Sequence, residues 1–110
     1  MTDQLEEIKK GFVENTLGEL SSLRADLSEN PEQDGNKEKA QKVFMTMHGI
    51  CGTAPVLGFE HLVPMSRKME KVFDRIRKGE EELSEQIRVQ ALRGVDFMIS
   101  ELQQHSESVS

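Results

Sequence analysis

Apolar residues recur at spacings of three and four along most of this chain, a rhythm that fits amphipathic helices and little else. The first run, over residues 3–28, places Leu5, Ile8, Phe12, Thr16, Leu20, Leu23 and Leu27 on one side. The second, over 37–57, is the cleanest: Ala40, Val43, Met47, Ile50, Ala54 and Leu57. The third, over 60–78, carries Leu62, Met65, Met69, Val72 and Ile76, with Pro64 tolerable because it falls near the first turn. The fourth, over 83–105, has two adjoining stripes, Leu83, Ile87, Ala91, Gly94 and Met98 beside Leu92, Val95, Ile99 and Leu102, with Ser84 positioned to cap its start. Pro31 and Gly35 break the chain in the stretch 28–36, Gly58 turns it after the second run, and Gly79 after the third. The tail SESVS is expected to fray.

Four helices joined by short connections must lie beside their sequence neighbours. The expected fold is all-α, an up-down-up-down antiparallel four-helix bundle, one domain over residues 1–110. Sparse β-branched and aromatic residues argue against an all-β fold. No run of apolar residues is long enough to span a membrane. The opening MTDQLEEIKK lacks the layout of a signal peptide, and the one cysteine, Cys51, suits a reducing compartment, so a cytoplasmic location is expected. A net charge of −6 disfavours nucleic-acid binding. Against that balance, residues 60–79 hold six basic and three acidic side chains, suiting either a solvated face or a surface for an acidic partner or a phosphate.

His48 lies on the second helix but off its apolar stripe. At about 100° per residue it points roughly 135° from the stripe's centre, towards solvent. Three and four residues away on that surface are Phe44, Met45, Cys51 and Gly52. Phe44 and Met45 are large apolar groups outside the core stripe. Gly49 and Gly52 each cost a helix up to about 1 kcal/mol relative to Ala. Bare backbone beside an exposed imidazole lets another protein approach closely. An imidazole also offers a neutral nucleophilic nitrogen near pH 7 with no partner base, and a phosphoryl group on it is tolerated at a solvent-facing site.

The run from His48 to Phe59, HGICGTAPVLGF, resembles the phosphorylation-site helix of histidine-phosphotransfer (HPt) domains. That family's pattern is His-x-Leu/Ile-Lys-Gly, then small residues, then Leu/Phe-Gly. His48, Ile50, Gly52, Ala54, Leu57 and Gly58 match it in type and spacing, and Met69-Glu70 resembles a Leu-Glu pair on the family's next helix. The resemblance implies that His48 accepts a phosphoryl group and passes it to or from the aspartate of a response-regulator receiver domain. A hybrid histidine kinase is the other implied partner. The domain itself is then a phosphotransfer intermediate, not an enzyme, with no cofactor of its own. The divalent metal is expected on the receiver. Gly52 leaves room for the receiver's loops, and Phe44 and Met45 form a docking rim. A monomer is expected.

Two positions depart from the pattern. Cys51 stands where the family usually has lysine, which removes a charge-assisted contact to the phosphoryl group. Counting residues from the turn near 58–59 puts Lys68 or Lys71 level with His48, as candidates to restore that charge. Pro55 removes the amide that would bond the Cys51 carbonyl, so the second helix should kink or end early. Other readings stay open. One is a degenerate bundle that binds a receiver or kinase without carrying phosphate. Another is a redox-sensing Cys51 beside His48. A metal-binding bundle lacks the Glu-x-x-His spacing it needs, since Glu101 and His105 are four apart, so no metal site is expected. His61 and His105 read as ordinary surface residues. No glycine-rich ATP-binding segment is present, so the chain cannot phosphorylate itself from ATP.

Overall fold

The structure, a computed structural model, describes residues 3–29 and 35–109, with side chains from residue 4 to residue 105. Most of the expected connection over 28–36, Pro31 included, lies outside the described residues. Four helices form where the apolar rhythm runs: α1 Asp3–Ser28, α2 Asn36–Thr53, α3 Val63–Arg77 and α4 Glu85–Val109. A one-turn 3₁₀ helix, Glu60–Leu62, precedes α3. No strand occurs among the described residues.

The helix ends have local causes. α2 stops at Thr53, four residues short of the expected 57, because Pro55 cannot continue its hydrogen-bond ladder. The chain turns over residues 54–58 and closes with the Phe59 amide donating to the Ala54 carbonyl at 2.8 Å, which requires Gly58 at φ 87°. α3 begins at Val63 with Pro64 in its first turn, so the 60–62 segment is 3₁₀ and not regular helix. At its other end the Glu80 amide donates to the Arg75 carbonyl and the Gly79 amide to that of Ile76, with Gly79 at φ 80°. Ser84 caps α4, its Oγ accepting from the Ile87 amide at 3.1 Å. α4 starts two residues later than expected and continues to Val109, four residues past the expected 105.

Cross-links show that neighbours run antiparallel. Gln41 meets Arg77 while His48 meets Glu70 across α2 and α3. Arg24 pairs with Asp96, and Arg88 donates to the Leu27 carbonyl, across α1 and α4. The closest pairings are α2 with α3 and α1 with α4; α1–α2 and α3–α4 complete the ring more loosely. All six apolar positions of the α2 stripe are buried, with Leu20, Leu23 and Leu27 of α1, Phe73 of α3, and Val95, Met98 and Leu102 of α4. Leu5 and Ile8 are exposed despite matching the α1 stripe, because that end of the helix runs past the core. Gly94 of α4 packs against α3: an added Cβ would lie 2.9 Å from the sulfurs of both Met65 and Met69. No helix among the described residues is long and apolar enough to cross a membrane.

Candidate functional site

The outward face of α2 carries His48, whose side chain is 72% exposed. Its angle off the buried stripe is what the spacing dictates. Its Nδ1 lies 2.6 Å from Oε2 of Glu70, a carboxylate only 20% exposed. An ionised carboxylate can only accept, so beside it Nδ1 carries a proton, and in the neutral ring Nε2 is then the nitrogen with the free lone pair. The imidazole is therefore held in one tautomer and one orientation, with its nucleophilic nitrogen outward.

Phe44 stacks on His48, with ring centroids 5.8 Å apart and planes inclined by 18°. The Arg77 guanidinium covers the Phe44 ring at 3.9 Å, within cation–π range. Arg77 is anchored in turn by Asp74, at 2.7 Å from its Nε, and by Gln41. Phe44 is thus half-buried towards α3, and a ladder of Arg77, Phe44 and His48 stiffens the imidazole. Met45, 60% exposed, faces the other flank, where it lines a groove with Glu14, Gly18 and Lys42. The expected single rim of Phe44 and Met45 is therefore two separate surfaces, because the two side chains diverge by about 100° around α2.

Gly49 and Gly52 are both exposed, and a Cβ on either would meet nothing within 4 Å. Neither glycine serves packing among the described residues. Together they leave bare helix backbone beside His48.

Cys51 is half-buried on the α3 side. Burial pushes its thiol up from the ordinary range, and the Glu70 charge and a hydrogen bond to Glu70 push it further, against a smaller opposing pull from Arg67. These influences disfavour the thiolate, opposite to what a reactive redox cysteine needs. The register between α2 and α3 also differs from simple counting. Glu70, not Lys68, stands level with His48. Lys68 lies on the far side of α3, lining a groove of about 590 Å³ with Ile87, Gln90 and Arg93 of α4. Lys71 is exposed and points roughly 100° away from Glu70. The basic residues of α3 that incline towards α2 are Arg67 and Arg77, neither of which the sequence count selects. Their signal is helical phase: both fall within about 60° of Glu70.

His61 is exposed, but His105 is half-buried and packs edge-on against Phe59 at 4.7 Å, so it belongs to the edge of the core. Among the described residues no group of three or more His, Cys, Asp or Glu side chains is arranged to hold a metal ion.

A family model described as Hpt domain matches residues 4–105. The sensor histidine kinase CheAY of Helicobacter pylori is 29% identical over 96 residues, covering 87% of this chain and 12% of that protein. The chemotaxis protein CheA of Halobacterium salinarum is 28% identical over 96 residues, 87% of this chain and 14% of that protein. That of Rhizobium meliloti is 27% identical over 94 residues, 86% of this chain and 12% of that protein. The chain thus spans only 12–14% of the length of these relatives. No solved structure matches it significantly.

Proposed function

Because this chain belongs to the Hpt domain family, we propose that it carries a phosphoryl group on Nε2 of His48 and exchanges it with the aspartate of receiver domains. A histidine-phosphotransfer role in two-component signalling follows from the family itself. The single observation behind the finer reading is the 2.6 Å bond from His48 Nδ1 to Glu70, which leaves Nε2 as the free nucleophile.

In the forward step the Nε2 lone pair forms a bond to the phosphorus of an aspartyl phosphate. The phosphorus–oxygen bond breaks, and its electron pair returns to the aspartate as carboxylate. The imidazole, now substituted at Nε2 and still protonated at Nδ1, gains positive charge, and Glu70 stabilises that charge where it develops. The reverse step restores the neutral ring. The chain contributes an oriented nucleophile and an open approach. The receiver contributes the divalent metal that its acidic site holds. The names of the relatives, a sensor histidine kinase and chemotaxis proteins, support a histidine kinase as a second source of the phosphoryl group.

Incubation with a phosphorylated receiver, read by intact mass, tests this reading. A gain of one phosphoryl group that is acid-labile and absent from His48→Ala is expected. A chain that binds the receiver and gains no mass would instead be a docking module without carrier function.

A further inference from the structure

We propose that Arg67 supplies the positive charge facing the phosphoryl group on His48, in the role that a lysine at position 51 would otherwise fill. The proposal rests on the phosphocarrier reading above.

The register carries the argument. Each step along α2 is matched by a step back along α3: the seven residues from His48 to Gln41 answer the seven from Glu70 to Arg77. The three residues from His48 to Cys51 therefore lead to Arg67 on the facing helix. Arg67 is the α3 cation whose field is felt at Cys51, where it favours the thiolate against burial and Glu70. Position 51 thus carries a thiol where a lysine would bring charge, and Arg67 stands at the same level on the facing helix.

The alternatives on α3 are committed elsewhere or point away. Arg77 is held by Asp74, Gln41 and the face of Phe44. Lys78 pairs with Asp74 at 3.0 Å. Lys68 lines the groove towards α4. Lys71 lies about 100° from Glu70 and about 180° from the buried side of α3, so it leaves the bundle radially; Arg67 lies about 60° from Glu70 and about 140° from the buried side, which keeps it nearer the seam with α2. Arg67 is exposed and has no ion-pair partner among the described residues. Its side chain is therefore free to swing to a new anion. A planar, always-charged guanidinium also suits the oxygens of a phosphoryl group.

The test uses phosphoramidate as a small donor, so that no protein contact enters. His48 Nε2 bonds to its phosphorus as the phosphorus–nitrogen bond breaks and ammonia leaves with the electron pair. Phosphohistidine formation is followed by intact mass, and phosphoryl ionisation by ³¹P NMR against pH, in the whole chain. Arg67→Gln should slow formation about two- to fivefold, the range of an exposed ion pair, and shift phosphoryl ionisation to higher pH. Arg67→Lys should preserve most of both. Cys51→Lys added to Arg67→Gln should restore them, which a merely structural role could not explain. Lys68→Gln should change neither. The assignment is overturned if Arg67→Gln behaves as wild type, or if Lys71→Gln carries the loss instead. A wild-type chain that takes no phosphoryl group at His48 from either phosphoramidate or a phosphorylated receiver sinks the phosphocarrier reading and this assignment with it.

Discussion

Replacing Gly49 and Gly52 together by alanine should make this protein more stable and a poorer phosphotransfer partner. Both glycines sit within α2, and a Cβ on either enters open space. Exposed helix-interior glycines cost about 0.5–1 kcal/mol each relative to alanine. The double variant should then gain about 1–2 kcal/mol. For a chain of 110 residues, an unfolding entropy of about 2.1 cal/mol/K per residue makes each kcal/mol worth roughly 4 °C, so Tm should rise by about 4–9 °C. Differential scanning calorimetry reads that shift. Transfer from a phosphorylated receiver should slow in the same protein, and slow further in Gly52→Gln, whose side chain projects beside His48. Transfer from phosphoramidate should not change, because a small donor does not meet the helix backbone. Unchanged stability would mean that the glycines answer to contacts within the chain. Higher stability with unchanged receiver transfer would falsify the idea that bare backbone is there for a partner's approach.

Three further outcomes follow from the site and the core. Glu70→Ala should slow phosphotransfer about two- to tenfold, combining lost tautomer control with lost charge stabilisation; Glu70→Gln, which keeps an acceptor for Nδ1–H, should fall between, and ¹⁵N chemical shifts of His48 should show mixed tautomers in the alanine variant alone. Cys51 should alkylate with iodoacetamide only at pH above the ordinary thiol range, since burial and Glu70 both disfavour the thiolate, and Glu70→Gln should move that profile to lower pH; an ordinary profile in the wild type refutes the described environment. Gly94→Ala should lower stability by about 1 kcal/mol despite its better helix propensity, because the new Cβ meets Met65 and Met69 sulfurs at 2.9 Å and Met69 is buried; a higher Tm would show that the methionines yield freely.

The bundle was legible because the core is written as helical phase. Ala40, Val43, Met47, Ile50, Ala54 and Leu57 recur at the helical period, and the structure buries every one. His48 was legible by the same phase, as the residue the stripe leaves out. Phase within a helix says nothing about register between helices, and there the reading failed. Counting from the turn selects Lys68 or Lys71, but the turn itself contains a proline-terminated helix end and a 3₁₀ segment. Those irregular residues shift the level of α3, and Glu70 arrives opposite His48 instead. Phe44 and Met45 both neighbour His48 by helical phase, but they flank it on opposite sides, and only Phe44 meets α3, where Arg77 covers it. Phe73 is not one of the five stripe positions expected of α3, yet it is among the most buried of the described side chains.

The uneven closure of the ring bears on how the domain breathes. Local opening costs least where packing is thinnest. The seam between α3 and α4, floored by adaptable methionines and notched at Gly94, should open before the seam between α2 and α3. Amide hydrogen exchange would then be fastest along α4's side of α3 and slowest around Met47 and Ile50. Every group that orients His48 belongs to the slow-exchanging pair, so excursions of α4 can come and go without disturbing the imidazole between one encounter and the next.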